Sequence, residues 1–147
     1  MRLLTPGRLL RSLRKNPVIL HGLIKNVWQD QARRFKDGPD GWSVVEIVCH
    51  LRDLEEVFYQ RALRMLNEDT PVFESFDQNE KARQGDYTNQ ALNRVFEQLV
   101  ENRRRTIQFF AELTATQWQR TGIHPEAGSI TLLEQAFQIG SHDTDHL

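Results

Sequence analysis

The amino-acid sequence predicts an all-α protein built as a four-helix bundle. Apolar residues recur every three or four positions in long segments, residue pairs typical of helix starts precede several of these segments, and no stretch of useful length alternates apolar and polar residues. The chain has 147 residues, 39% hydrophobic and 27% charged, which is the size and composition of one soluble globular domain. We therefore expect residues 1–147 to form a single domain.

The first helix is predicted from two pairs in which a capping residue precedes a proline. Thr5 stands before Pro6, and Asn16 stands before Pro17, so each pair can start a helix with proline at its first position. Because proline inside a helix removes a hydrogen bond and clashes with the preceding turn, we expect this helix to be interrupted or kinked near Pro17. A short turn is expected to follow at residues 28–35.

The opening of the chain is basic, although the net charge of the whole chain is only −1. Residues 1–29 contain no acid, and their basic residues are Arg2, Arg8, Arg11, Arg14, Lys15 and Lys25. We interpret them as a solvated helix face rather than a targeting segment, since apolar residues continue at helical spacing into the domain. No recognition pattern for nucleic acid and no apolar run of membrane-spanning length is found, so we expect neither partner. The single cysteine, Cys49, allows no intrachain disulfide, which is consistent with a cytoplasmic protein.

The second helix has the clearest signals. Ser43 followed by Glu46 forms a capping box, which predicts a helix at about residues 44–66. Its buried stripe is predicted to consist of Ile47, Leu51, Leu54 and Phe58. His50 lies at the margin of this stripe, so its imidazole is expected to face the bundle interior or a cleft. Cys49 is expected to be a small buried residue.

The following elements are bounded by turn and cap signals. Residues 67–88 are polar and predict a long loop with one helical turn, a kind of loop that often borders functional sites. A third helix is expected at about 89–112. Thr114 with Gln117 forms another capping box, and the Gly- and Pro-containing residues 120–130 predict a small hairpin or an irregular loop.

The last helix carries the most informative pattern. It begins at a third capping box, Thr131 with Glu134, and its inward stripe starts with Leu132, Ala136 and Ile139. The same face then continues into His142 and His146, whose spacing of four places both imidazoles on one side of the helix. This is the spacing of metal ligands.

A third ligand is needed, because a catalytic metal requires at least three protein ligands and an open position, and imidazole suits both zinc and nickel. His50 is the long-helix histidine that the pattern places toward the interior, so it is feasible for His50, His142 and His146 to supply three imidazole ligands from two helices. His21 and His124 have no matching spacing and are expected to have surface or loop roles. The alternative is that His50 is a hydrogen-bonded core residue and that the other two are polar residues at a fraying helix end.

Charged residues near these positions allow two readings. Asp53, Asp143 and Asp145 are candidates for orienting a ligand imidazole through its second N–H, and solvated helix acids are the alternative. The basic run at residues 103–105 is predicted to be a solvated face, since successive helix residues point in different directions.

Two segments resemble a known family. G-W-S-V-V-E-I-V-C-H-L-R-D at residues 41–53 and G-S-I-T-L-L-E-Q-A-F-Q-I-G-S-H-D-T-D-H-L at residues 128–147 are similar to the DinB-like (DinB/YfiT) superfamily of proposed metalloenzymes. The resemblance extends from about Asn16 to the end of the chain. It implies a four-helix bundle with up-down-down-up connectivity, a homodimer, and a divalent metal at the motif positions occupied here by His50, His142 and His146.

Proteins that look like this include bacillithiol and mycothiol S-transferases and a thiol-dependent maleylpyruvate isomerase. The resemblance therefore implies a metal-dependent thiol S-transferase or hydrolase-like reaction on a small molecule, with zinc or nickel as the ion and a low-molecular-weight thiol as a possible cosubstrate. It assigns no catalytic residue. The alternative function is a metal-binding or dimerising helical bundle without turnover.

Overall fold

A computed structural model describes residues 3–147. In these residues it contains the helices α1 (Pro6–Ile24), α2 (Gln29–Arg34), α3 (Val44–Asn67), α4 (Gln78–Gln84), α5 (Leu92–Ala111) and α6 (Leu132–His146). The strands β1 (Thr121–His124) and β2 (Gly128–Thr131) form one antiparallel hairpin before α6. The all-α prediction is confirmed. Within the described residues this hairpin is the only sheet, and the four long helices α1, α3, α5 and α6 form the bundle.

The long helices have up-down-down-up connectivity, as predicted. Helices α3 and α5 are parallel, because Glu55 and Tyr59 of α3 contact Arg103 and Phe109 of α5 in the same order along the chain. Helix α6 runs against α3, since the Phe58 carbonyl accepts a hydrogen bond from Gln135, near the start of α6, and His50 contacts His142.

Helix α1 runs parallel to α6. Asn16 donates to the Gly140 carbonyl, and Leu20, one turn further along α1, lies beside Leu147 at the other end of α6. Helix α1 is therefore antiparallel to its neighbour α5, as α6 is to α3, and the two central segments of the chain point the same way. This connectivity places the first half of α3 beside the second half of α6.

Capping explains where several helices begin. The capping boxes at Ser43 and Thr131 are both formed: each hydroxyl accepts from the backbone N–H three residues later, and the glutamate there accepts from the cap residue's own N–H. Helix α5 begins at Leu92, whose N–H donates to the Gln29 side chain, 2.7 Å away. This cap comes from a distant segment, and the predicted start near residue 89 is instead a short 3₁₀ turn at Tyr87–Asn89.

The predicted interruption of the first helix is wrong. α1 is helical from Pro6 to Ile24, through Pro17, and Asn16 is not a cap residue. Pro17 has no N–H to donate to the carbonyl of Leu13, one turn earlier, so that carbonyl needs another donor. Arg103 of α5 donates its Nη1 to this oxygen at 3.2 Å. A side chain from a distant helix thus replaces the missing backbone hydrogen bond.

The hydrophobic core has two parts along the bundle. One lies near the hairpin and includes Leu13, Met65, Phe110 and Trp118, and the other lies around Val48 and Leu51, with further buried residues Leu20, Tyr87, Leu92 and Leu99. Cys49 is fully buried in the second part, as predicted. Ile47 and Leu54, predicted for the core stripe, are only half-buried at its edge.

The hairpin closes one end of the core. Residues Pro71 and Phe73 exchange backbone hydrogen bonds with Ile123 of β1, which ties the segment after α3 to the hairpin. Gly122 is required here, because a Cβ atom at this position would lie 2.7 Å from the Phe73 ring. Residues 67–88 are therefore more ordered than a predicted loop, and they include the whole of α4, capped by Asp77.

Within residues 3–147, none of the helices combines the length and the apolar character that a transmembrane segment needs.

Candidate metal centre

His50 is placed by the start of α3. The Ser43–Glu46 capping box sets where the helix begins, and His50 then lies on the face that meets α6. Its side chain is buried, with 1% exposure. The edge of the Trp42 ring packs against the imidazole, with ring centres 4.8 Å apart, and so covers it from the side of the chain that precedes α3.

His142 and His146 are placed by the apolar stripe of α6. Leu132, Ala136 and Ile139 are all buried, so the same face one and two turns later presents the two imidazoles to α3. Their ring centres are 4.6 Å apart, and each lies 4.9 Å from the ring centre of His50. The three predicted residues therefore come together, and we call them the histidine cluster.

The donor atoms of the histidine cluster have the separations that a small cation requires. The Nε2 atoms of His50 and His142 are 2.9 Å apart, and one potential ligand atom from each of the three residues lies within 4.8 Å of the others. Zinc–nitrogen bonds of 2.0–2.1 Å in a tetrahedral site separate two nitrogens by about 3.3 Å. The three nitrogens, which lie 2.9 Å to at most 4.8 Å apart, span this value, so the cluster fits this chemistry.

The surroundings keep the imidazoles neutral. Burial, together with repulsion from His142 and His146, lowers the pKa of His50 to about 3. Burial and the charge of His146 likewise lower the pKa of His142 to about 4, and burial lowers the pKa of His146. A neutral imidazole has a free lone pair, so at neutral pH each ring can act as a metal ligand.

The acids predicted to orient these imidazoles have other partners. Asp53 accepts hydrogen bonds from Arg52 and from the hydroxyl of Tyr87, and Asp143 accepts from Arg103 and Asn16. Neither carboxylate accepts a hydrogen bond from a histidine, so the predicted orienting role is wrong for both.

Asp143 instead belongs to a buried group that the sequence analysis missed, which we call the ion cluster: Asn16, Glu55, Arg103 and Asp143. Arg103 has 2% exposure and donates to both carboxylates, with all four N···O distances at 2.8 Å. Burial alone would lower the pKa of Arg103, but the charges and hydrogen bonds of Glu55 and Asp143 raise it above its usual value. The prediction of a solvated face is therefore wrong for Arg103.

A signal for the ion cluster exists in the sequence. Glu55 lies between Leu51 and Phe58 on the buried stripe of α3, and Arg103 lies between Leu99 and Thr106 on that of α5. Opposite charges at core positions of two helices predict a buried pair, because neither charge is stable there alone.

The remaining histidines have no part in the histidine cluster. His21 is exposed on α1 and stacks on Phe96, with ring centres 5.6 Å apart. The Nδ1 atom of His124 accepts hydrogen bonds from the backbone N–H groups of Glu126 and Ala127, which holds the turn of the hairpin. His124 is buried rather than at the surface, and its role is in the hairpin turn.

Two cavities border the histidine cluster, one at His142 and the other at His146. The larger has a volume of about 620 Å³ and is lined by His142, Phe58 and the hairpin turn. The other, of about 500 Å³, is lined by His146, Trp42 and the start of α3. Both volumes are in the range of small-molecule sites, so a small molecule can reach the cluster from either side.

Comparison with known proteins identifies the family. Residues 12–147 match the sequence pattern of the DinB superfamily. The chain belongs to the DinB superfamily. The resemblance seen in the two sequence segments is thereby confirmed, and it extends over almost the whole chain.

Curated relatives of this DinB superfamily member carry a common name. One from Halalkalibacterium halodurans, 34% identical over 113 residues, is named "Putative metal-dependent hydrolase", and the match covers 74% of this chain and 64% of the relative. A relative from Oceanobacillus iheyensis with the same name is 29% identical over 107 residues, covering 73% of this chain and 62% of the relative. The chain thus spans less than two thirds of the length of these two relatives.

Solved structures share the fold. YfiT from Bacillus subtilis, described as "a probable metal-dependent hydrolase with an unusual four-helix bundle topology", superposes with a TM-score of 0.90 at 22% identity, covering 99% of this chain and 83% of YfiT. A mycothiol-dependent maleylpyruvate isomerase superposes with a TM-score of 0.79 at 12% identity, covering 97% of this chain and 59% of the isomerase. At these identities the likeness establishes the bundle and its topology.

Proposed function

We propose that this DinB superfamily member binds one divalent metal ion through His50, His142 and His146 and uses it in an enzymatic reaction on a small molecule. The observation that carries the proposal is the meeting of three imidazoles from two helices with their nitrogens within 4.8 Å. Neutral histidines are the donors that zinc and nickel accept, and these are the ions we propose. The name shared by the curated relatives supports the same chemistry.

The protein's own contribution is to hold and enclose the reacting groups. A divalent ion with three imidazole ligands and an open position lowers the pKa of water or a thiol and polarises a carbonyl. His50 is the buried member of the site and packs against Trp42, while His142 and His146 face the two cavities. We propose a hydrolase-like or thiol S-transferase reaction, with a low-molecular-weight thiol as cosubstrate in the second case.

A second candidate is a metal-binding or dimerising bundle without turnover. It is favoured by exposed apolar side chains on α1, where Val18 and Leu23 are 70% and 56% exposed. Exposed apolar side chains suit self-association, so we also propose that the protein is a homodimer. We further propose that it is cytoplasmic and that residues 1–147 form one domain. Sedimentation analysis of the wild-type protein and of Val18→Glu would test the dimer.

Metal content is the first test of the site. Protein purified without a His-tag should contain close to one equivalent of zinc or nickel after reconstitution and dialysis. The variant with His50, His142 and His146 all changed to Ala should contain none. His21→Ala is the matched control, because His21 is exposed, stacks on Phe96 and is not one of the histidines whose nitrogens converge. Stoichiometric metal in the triple variant would contradict the site.

Turnover separates the two candidate functions. The metal-loaded protein should hydrolyse ester or amide probes, or conjugate a low-molecular-weight thiol to an electrophile, and His142→Ala should lose this activity while its circular dichroism spectrum is retained. A metal-loaded, folded protein that is silent with both sets of probes would favour the non-catalytic bundle.

A further inference from the structure

The larger cavity contains a buried cation with no carboxylate partner. Arg61 of α3 is only 8% exposed, yet no carboxylate oxygen of residues 3–147 lies within 4.0 Å of its guanidinium nitrogens. One nitrogen, Nη2, donates to the Glu74 carbonyl at 2.7 Å, and the Phe73 ring lies 5.4 Å from the guanidinium carbon. A guanidinium has five N–H donors, so most of its hydrogen-bonding capacity remains available.

A comparison with Arg103 shows how unusual it is that the buried Arg61 has no carboxylate partner. Arg103 is also buried, but two carboxylates surround it and neutralise its charge. Burial lowers the pKa of Arg61, and the opposing effect comes from the charge of Glu126, which makes no ion pair with it. An arginine stays charged in proteins, so Arg61 presents to the cavity a positive charge without an ion-pair partner, which an anion would stabilise.

The position of Arg61 relates it to the histidine cluster. One face of α3 contains His50, Leu54, Phe58 and Arg61, because these residues follow one another at spacings of four, four and three. Arg61 is three turns beyond His50, about 16 Å along the helix axis. Leu54, Phe58, Arg61 and His142 all line the larger cavity, so an apolar stretch separates a cationic end from an imidazole end.

We propose that Arg61 binds a carboxylate group of the small molecule whose reacting group lies at the histidine cluster. The substrate class is then an elongated monocarboxylate with an apolar middle. This inference rests on the proposed function, because it uses the histidine cluster as the place of reaction.

The charges around the cavity favour a carboxylate over a phosphate. Glu126, Glu134 and Asp145 also line the cavity, and their negative charges oppose a dianion more strongly than a monoanion. The planar fork of an arginine also matches the two oxygens of a carboxylate. The Phe58, Phe76 and Phe137 side chains supply apolar contact for the middle of the ligand.

Binding of a matched pair of probes tests the proposal without turnover. We would measure 3-phenylpropionate and 3-phenylpropionamide by calorimetry against metal-free protein, where the acid cannot bind a metal. The acid should bind at least about tenfold more tightly than the amide. In Arg61→Met this preference should fall below about threefold. Arg64→Met is the control, because Arg64 is one turn further along α3, also lies over Phe73, and pairs with Glu68 at the surface.

Three results would overturn the proposal: an acid preference that Arg61→Met retains, equal binding of acid and amide to the wild type, or tighter binding of 2-phenylethyl phosphate than of the acid. Should Arg61→Met fail to fold, the wild-type protein still decides the question by nuclear magnetic resonance. The Arg61 Nε–Hε signal should shift with the acid and not with the amide, and an unmoved signal would also overturn the proposal. These measurements use metal-free protein, so their outcome does not depend on the proposed metal site. If that site is wrong, the measured metal content will show it.

Discussion

His142 and Asp143 are adjacent on α6, but they belong to two polar clusters of opposite character. In the ion cluster all four carboxylate oxygens of Glu55 and Asp143 accept hydrogen bonds, from Arg103 and in one case also from Asn16. In the histidine cluster, within the part of the chain that the structure describes, the single hydrogen bond joins Nε2 of His50 to Nε2 of His142.

This difference indicates a structural role for the ion cluster and supports the binding role that we propose for the histidine cluster. A buried polar group whose hydrogen bonds are complete inside the protein gains nothing from a ligand, and it fixes the elements that supply its members. The ion cluster draws on all four long helices, including α1 through Asn16 and the Leu13 carbonyl. Imidazoles that face one another with free lone pairs remain incompletely satisfied until a cation binds.

The largest expected effect is a loss of stability when Arg103 of the ion cluster is replaced. Arg103→Met should lower the free energy of unfolding of the metal-free protein by about 3–5 kcal/mol, because it leaves two buried carboxylates without their partner. Urea denaturation followed by circular dichroism measures this. Arg104→Met, which changes the neighbouring exposed arginine, should stay within about 0.5 kcal/mol of wild type. A loss below about 1 kcal/mol in Arg103→Met would mean that the cluster does not hold the helices together.

The second largest expected effect is a loss of zinc affinity when a residue of the histidine cluster is replaced. His142→Ala should weaken zinc binding by at least about a hundredfold, equivalent to about 2.7 kcal/mol, since two ligands remain of three. Competition with a chromophoric chelator gives the affinity. The same variant should change the metal-free stability much less than Arg103→Met does. If His142→Ala instead unfolds the metal-free protein and leaves zinc affinity intact in the folded fraction, the roles of the two clusters are reversed.

Zinc should stabilise the protein only through the histidine cluster. At a free zinc concentration of about a hundred times Kd, the free energy of unfolding should rise by about 2.7 kcal/mol. Thermal unfolding at two zinc concentrations detects the change. Arg104→Met should show the full increase and the triple histidine variant none. An increase that survives in the triple variant would place the zinc elsewhere.

The smallest expected effect is at the edge of the ion cluster. Asn16→Ala removes the amide that donates to Asp143 at 3.0 Å, but it leaves Arg103 bound to both carboxylates. We expect a loss of about 1–2 kcal/mol, the usual cost of a hydrogen bond to a charged group. Urea denaturation measures it, and zinc affinity should be unchanged. A loss as large as that of Arg103→Met would mean that Asn16, rather than the ion pairs, keeps α1 in place.

Much of the fold and the members of the histidine cluster were predictable from the sequence. The capping boxes at Ser43 and Thr131 and the apolar stripes that follow them act within one helix, and they decide which faces of α3 and α6 point inward. The metal role of these histidines stays a prediction, but their convergence follows from those faces meeting. The buried faces of α3 and α5 also contain Glu55 and Arg103. Our sequence-based prediction placed Arg103 on a solvated face and did not address Glu55, so it missed that they form a pair.

Local signals within the chain therefore decided where most helices start, which residues form their stripes, and which histidines could meet. The residues around Pro17 are an exception to these local signals. The Asn16–Pro17 pair has the local signature of a helix start, yet a donor from α5 satisfies the carbonyl that Pro17 leaves free, and Asn16 turns to α6 instead. Whether a buried charge or an orphaned carbonyl finds its partner depends on residues that are distant in sequence, because a hydrogen bond forms only when packing brings donor and acceptor within about 3 Å.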